Sequence, residues 1–474
     1  MAHLIETDIA IIGGGSGGLS VAAGAAQLGA RVVLAEKAKM GGDCLNYGCI
    51  PSKALIAAGH AAHAVRSSAR FGVNGHEPAI DFQAVHDHVH GVIAAIAPND
   101  SVERFEGLGA TVIQAPARFL DERTIEAGQH HIRARRIVIS TGSSAFVPPI
   151  EGIRDVEAYT NETIFDLTEA PSHLIVIGGG PIGLELAQAH RRLGAKVTVL
   201  EALTFLPKDD PQAVAVVLDQ LKSEGLSLHE GVTVDCVRRI GNGIGVDITA
   251  AGERRTIEGS HLLVAAGRRP NVNDLGLDAA GIEFSAHGIK VDARLRTTNR
   301  RVFAIGDVAG GFQFTHMAGY HAGIVVRNAL FNLPAKVDER AVPWVTYTDP
   351  ELAHVGLTEA AARERDAGAR ATSWPFHEND RSQTERETEG FIKMVTGKKG
   401  RVLGATIVGR HAGELILPWV LAVQKGLSAK DMTGFIAPYP TLGEVSKRVA
   451  GAYFAPSLFS DRTRRVVRLM QKLP

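Results

Sequence analysis

Apolar residues in this chain fall into short runs punctuated by glycine, and two of the longer segments repeat one another. DIAIIGGGSGGLSVAAGAAQLGARVVLAEK (8–37) and HLIVIGGGPIGLELAQAHRRLGAKVTVLEA (173–202) share one order of features. Each has a β-rich apolar run, a glycine turn, an Ala/Leu-rich helical stretch, a Gly-Ala turn and a second apolar run that ends in glutamate. This periodicity predicts a βαβ unit twice. Further apolar runs stop at small-residue turns: RRIVISTG at Gly142, HLLVAAGRRPN at Asn271 and RVFAIGDVA at Ala309. They predict strands returning to two sheets, the second βαβ domain being inserted in the first. After Ala341 the character changes. VPWVTYTDPELAHVGLT, GFIKMVTGKKGRVLGATIVG and the helical AGELILPWVLAVQKGL predict an antiparallel sheet with helices on one face.

Both glycine turns carry a dinucleotide fingerprint in the context it requires, with a strand before, a helix after and an acid about 20 residues on. Gly13, Gly15 and Gly18 form the first, with Glu36 as the acid; Gly178, Gly180 and Gly183 form the second, with Glu201. Such glycines let the backbone approach a pyrophosphate at a helix N-terminus, while the acid accepts from ribose hydroxyls. Two sites imply two dinucleotides, and a carrier held between a nicotinamide and a third redox partner is normally a flavin. The expected fold class is therefore α/β, with two Rossmann-like dinucleotide-binding domains, one inserted in the other, plus a C-terminal α+β domain. Residues 1–150 and 271–340 are assigned to the FAD-binding domain, 151–270 to the NAD(P)-binding domain and 341–474 to the C-terminal one.

Composition narrows the partners. The 474 residues hold 51 Lys plus Arg against 51 Asp plus Glu, a balance that recruits neither nucleic acid nor an anionic membrane overall. No apolar run is long enough to span a bilayer, and the start reads as a strand rather than an export signal. With only three cysteines, a reducing cytoplasm is the expected setting, where paired cysteines are usually catalytic or metal-binding.

Two of those cysteines, Cys44 and Cys49, stand in GGDCLNYGCIPSKAL (41–55), behind glycines and ahead of a Pro-Ser helix start. A thiolate near a helix N-terminus has a lowered pKa. A solitary CxxxxC lacks the second ligand pair of a zinc site, and no resident metal is expected. Cys236, alone in TVDCVRR, reads as an ordinary buried cysteine. In their order along nearly the whole chain, CLNYGCIPSKAL, both fingerprints, AAGRRPN, AIGDVA, DPELAHVGLT and YPTLGE resemble the class I pyridine nucleotide-disulfide oxidoreductases. That family includes dihydrolipoamide dehydrogenase, glutathione reductase and mercuric reductase.

The resemblance implies a redox-active disulfide, with Cys49 facing the flavin and Cys44 meeting the acceptor. It pairs Lys53 with Glu185 beside the flavin N5, sets Asp307 at the ribityl chain, and adds Thr141, Gly142, Gly267 and His316 to the cofactor contacts. His316 and His321, in a helix whose start faces the flavin, read as helix histidines rather than catalytic ones. Glu201, with no arginine cluster after it, favours NADH over NADPH. At the nicotinamide-gating position stands Pro181 rather than an aromatic. A homodimer is implied, with 341–474 as its dimerisation and interface domain and with a composite active site in which Tyr439 and Glu444 of one subunit reach Cys44 of the other.

One position departs from the disulfide-reducing members, which have His-Pro-Thr where this chain has Tyr439, Pro440 and Thr441. Tyrosine, with an ordinary pKa near 10, is a poor substitute for a histidine base at neutral pH. Mercuric reductases carry tyrosine there. They also have a C-terminal cysteine pair, whereas no cysteine follows Cys236, and no N-terminal metal-carrying domain is expected. The expected activity is electron transfer from NAD(P)H through FAD and the Cys44–Cys49 disulfide to a disulfide or soft metal-ion acceptor. The alternatives are a dihydrolipoamide dehydrogenase with a substituted base and, more remotely, a non-catalytic flavin-binding protein. His86 and His90 share a helix face in HDHVH, which reads as solvated. The basic SDRTRRVVRLMQKLP reads as an exposed terminal helix that could touch a membrane surface.

Overall fold

The strand His3–Ile12 lies at the middle of a sheet because both of its faces are apolar. Ile9 and Ile11 point to one side, Ala10 and Ile12 to the other, and all four are buried. Strands buried on both faces form parallel sheets covered on either side. The parallel order here is Ala110–Gln114, Val32–Glu36, His3–Ile12, His130–Ile139 and Val302–Ala304. Helices Ser16–Gln27 and Thr315–Phe331 cover one face. Because Val302–Ala304 joins this sheet from beyond a second one, the insertion read from the sequence is present. The computed structural model, which describes residues 3–473, groups Met1–Leu203 with Leu226–Val337 as one compact unit and Thr204–Gly225 with Asp338–Pro474 as another.

The inserted sheet runs Ser227–His229, Lys196–Leu200, His173–Ile177, His261–Val264 and Ala158–Tyr159, all parallel, beside the antiparallel meander 232–259. RVFAIGDVA is strand only over Val302–Ala304. Gly306, at φ +67°, turns the chain into a short 3₁₀ segment that presents Asp307.

In the second unit, five antiparallel strands run Pro343–Thr346, Glu351–Gly356, Val402–Gly409, Phe391–Thr396 and Arg370–Pro375. Ala353, Val355, Ile392, Met394, Ala405 and Ile407 pack against helices Leu417–Lys425 and Glu444–Leu458. The expectation of helices on one face is incomplete, since Pro211–Ser223 covers the other. Beneath it the polar side chains are paired. His354 Nδ1 lies 2.8 Å from Thr406 Oγ1, and Lys393 Nζ donates to Asp210 Oδ2 at 2.6 Å, with both members of that ion pair buried. A buried ion pair of this kind is held by geometry, since desolvation opposes it.

Candidate active site

Close approach of backbone explains the fingerprint glycines. A Cβ on Gly18 would lie 1.9 Å from Gly13 O, and one on Gly13, at φ +107°, 2.5 Å from Ser140 O. Gly183 and Gly178 repeat this at 2.0 Å from Gly178 O and 2.4 Å from Ala265 O. Gly15 and Gly180 differ, for a Cβ there would meet nothing within 3.5 Å. Both helices that follow start without a side-chain cap. Each loop therefore offers free helix N-terminal amides and open space, which suits a pyrophosphate. The two acids match as well. Glu36 accepts from Gly14 N at 2.5 Å and Ala38 N at 2.7 Å; Glu201 accepts from Gly179 N at 2.6 Å and Leu203 N at 2.8 Å.

Cys44 sits in the short helix Gly42–Asn46 and Cys49 opens the long helix Cys49–Ser67, placing both thiols, free and half-buried, at the end of the first loop. Cys49 Sγ is 3.2 Å from Thr315 Oγ1, at the first residue of the Thr315–Phe331 helix. A hydrogen bond from Cys44 brings Cys49 down to about 6, helped by Thr315 and the Lys53 cation against the opposing effect of burial. The same contact, with burial, pushes Cys44 up. Lys53, one turn beyond Cys49, is paired with the buried Glu185 at 2.9 Å.

The sign of the Cys49 shift makes a prediction. A lowered pKa favours the charged form, so the reduced protein should develop one thiolate as pH rises through about 6 and lose it below. Thiolate ultraviolet absorbance should show this step, Cys49→Ser should remove it, and Thr315→Val should move it upward. A step that survives Cys49→Ser would assign the thiolate to the wrong sulfur.

Asp307 lies in a polar network that the sequence reading did not assemble. Ser143 Oγ donates to Asp307 Oδ2 at 2.6 Å, and Arg268 Nε donates to Ser143 Oγ at 2.7 Å. Arg268 also pairs with Asp43 at 3.0 Å, and Asn161 Nδ2 donates to Asp43 Oδ1 at 3.1 Å. Burial raises the Asp307 pKa, opposed by the Ser143 bond and the Arg268 charge. Arg268 and Asp43 belong to the AAGRRPN and GGDC segments, but no spacing rule joins them. Gly142 and Gly267 both adopt positive φ, at +67° and +113°, and Thr141 Oγ1 donates to Asn271 O at 2.7 Å. His316 stacks on Phe314 with ring centroids 5.1 Å apart, and His321 Nδ1 accepts from Gly306 N at 3.2 Å.

The other candidates make contacts of their own. The His86 and His90 rings lie 4.2 Å apart, centroid to centroid, tilted by 42°, and His90 Nε2 lies 3.2 Å from Phe165 O. Among the described residues no three metal-ligating side chains come together. Cys236 is partly buried, its thiol directed at Val237 O, 3.6 Å away. In the second unit, Tyr439 is exposed and its hydroxyl donates to Asp380 Oδ2 at 2.9 Å, which raises the phenol's pKa. Glu444 opens the next helix and pairs with Arg448 at 2.8 Å.

Against known proteins, residues 7–322 match the pyridine nucleotide-disulphide oxidoreductase family and residues 342–450 match that family's dimerisation domain. This chain belongs to the pyridine nucleotide-disulphide oxidoreductases. The oxidoreductase is 35% identical to the mercuric reductase of Bacillus cereus over 442 residues, 93% of this chain and 70% of that protein. It is 36% identical to the dihydrolipoyl dehydrogenase of Bacillus subtilis over 458 residues, 94% and 96% of the two. Overall identity thus does not separate the two acceptor chemistries. Among solved structures it matches the Cu(II) complex of the HOCl-induced flavoprotein disulfide reductase RclA from Escherichia coli, with TM-score 0.85 and 28% identity over 94% of this chain and 99% of that one. LpdA of Mycobacterium tuberculosis matches with TM-score 0.86, at the same identity and coverage. The oxidoreductase is an enzyme of the flavoprotein disulfide reductase type, with Cys44 and Cys49 as its redox pair and FAD and a pyridine nucleotide as the cofactors its family implies. No helix among the described residues is long and apolar enough to cross a membrane.

Proposed function

We propose that this oxidoreductase takes electrons from NADH, in preference to NADPH, and passes them through FAD and Cys44–Cys49 to a soft metal ion. FAD, when bound, supplies the two-electron relay between the nicotinamide and the cysteine pair. Gly13, Gly15 and Gly18 hold its pyrophosphate at the Ser16 helix start and Glu36 its ribose. Thr141, Gly142, Asp307 and His316 line the rest of the flavin site, where Lys53, fixed by Glu185, supplies a positive charge. Gly178, Gly180, Gly183, Glu201 and Gly267 serve the nicotinamide nucleotide. Two copies assemble through the C-terminal domain, so that Tyr439 and Glu444 of one approach Cys44 of the other.

Tyr439 carries the choice of acceptor. Reducing a disulfide to two thiols consumes protons, and the attacking Cys44 must first lose its own. Its thiol is held above the usual range, and a phenol already donating to Asp380 cannot take that proton. A soft metal-ion acceptor takes two electrons, as Hg(II) does to Hg(0), or one, as Cu(II) does to Cu(I); it displaces the Cys44 proton to solvent on binding sulfur and has no leaving thiolate to protonate. The name mercuric reductase and the Cu(II) complex of RclA point to the same acceptor class. Steady-state NADH oxidation with thiol-buffered Hg(II), with Cu(II) and with lipoamide tests the reading. The expected result is metal-dependent turnover with little lipoamide reduction. Fast lipoamide turnover beside inert metal ions would instead make the chain a dihydrolipoyl dehydrogenase with another base.

For nucleotide choice, Glu201→Ala is expected to lower the NADH-to-NADPH ratio of kcat/KM by about ten-fold, because the acid repels a 2′-phosphate. Glu201 also braces its loop through Gly179 and Leu203. Loss of bracing alone would reduce both nucleotides equally and leave the ratio fixed.

A further inference from the structure

The helix Asp461–Met470 has no buried residue. Ser460 caps it by accepting from Thr463 N at 3.3 Å, so it is a formed helix rather than a frayed end. At about 100° per residue, Val466 and Met470 fall on one side of the helix, with Leu469 and Val467 on its flanks, and Leu473 follows in the turn beyond it. Every one of the five is at least 47% exposed. Leu458 and Phe459, where the preceding helix ends, are also exposed, at 57% and 65%. On the opposite side of the helix stand Arg464, Arg465 and Arg468, Lys472 follows in the turn beyond it, and Arg462 in the first turn lies on the apolar side. Over residues 461–473 five cations face a single carboxylate, Asp461, which lies 3.8 Å from Arg464. The segment also lies beyond the residues matched by the dimerisation domain, which end at 450.

A helix with an apolar stripe and a cationic opposite face requires an occupant that is both apolar and anionic. A second copy of the same helix offers the stripe but brings five more cations, and like charges oppose that pairing. We infer that the helix Asp461–Met470, with the turn that carries the chain on to Leu473, is an interfacial segment that docks the enzyme on an anionic phospholipid surface. Val466, Leu469, Met470 and Leu473 enter the acyl boundary, while the arginines and Lys472 meet the headgroup phosphates. The near-neutral charge of the whole chain does not oppose this, because the attraction falls off within a Debye length and is set by the local cluster.

Flotation of the full-length, flavin-loaded enzyme with phosphatidylglycerol–phosphatidylcholine vesicles tests the inference, with pure phosphatidylcholine as control. Binding is expected on the anionic vesicles alone and should weaken as salt rises. Arg465→Gln with Arg468→Gln is expected to weaken it about thirty-fold, at about five-fold per cation. Val466→Asp with Met470→Asp is expected to abolish it. Both variants should keep flavin content, turnover of a soluble acceptor and native mass by light scattering. The inference is overturned by absence of flotation, by equal flotation on both vesicle types, or by variants that float like the parent. A variant that falls from dimer to monomer would overturn it too, by assigning the stripe to a second copy.

Discussion

Cys44→Ser is expected to lower acceptor reduction by about 1,000-fold or more while NADH still reduces the bound flavin, a magnitude typical of losing a reacting nucleophile. The reason lies in the two sulfurs. Cys49 is the stabilised thiolate, bonded to Cys44 and close to Thr315 and Lys53, and this stabilisation makes it the weaker nucleophile. Cys44 keeps its proton until an acceptor arrives. A serine hydroxyl can donate the same hydrogen bond to Cys49, so the thiolate that forms near pH 6 should survive the substitution. It cannot close a disulfide or ligate a soft ion, so both acceptor chemistries stop together. Rapid mixing with NADH, followed by steady-state assay, separates the two half-reactions. Retention of more than about a tenth of the parent turnover would remove Cys44 from the path.

The second large effect is a gain. Tyr439→His is expected to raise lipoamide turnover by about 100-fold, within the range that a positioned general base contributes. Asp380, which now accepts from the phenol at 2.9 Å, is available to orient an imidazole. Lipoamide turnover should then rise with pH through about 6.5, because an imidazole acts as a base only once deprotonated. The parent should show no inflection from Tyr439 in that window, since Asp380 moves the phenol further from neutrality. Tyr439→Phe serves as the control. It should leave lipoamide turnover near the parent level and reduce metal-ion turnover if the phenol is a ligand. Fast lipoamide turnover by the parent, unchanged in the histidine variant, would show that the proton moves elsewhere.

What could be read directly from the sequence was chemistry written within short segments. The two βαβ units follow from apolar runs, glycine turns and a terminal acid, all within about 30 residues. The matching bonds of Glu36 to Gly14 and Glu201 to Gly179 show that this local code builds one geometry twice. The cysteine pair and the tyrosine in place of histidine were legible for the same reason, because each stands in one motif whose order carries its meaning.

Tertiary structure decided the contacts between segments that no periodicity connects. Thr315 meets Cys49 across 266 residues of chain, and Asp307 reaches Asp43 through Ser143 and Arg268. Lys393, His354 and Thr406 alternate with apolar neighbours, as side chains facing water do, yet all three are buried. Only the fold brings Pro211–Ser223 over that face and supplies Asp210 to Lys393. The physical difference is range. Propensity and turn chemistry act over a few residues and can be read in order, whereas the partner of a buried charge is chosen by packing, after the chain has closed on itself.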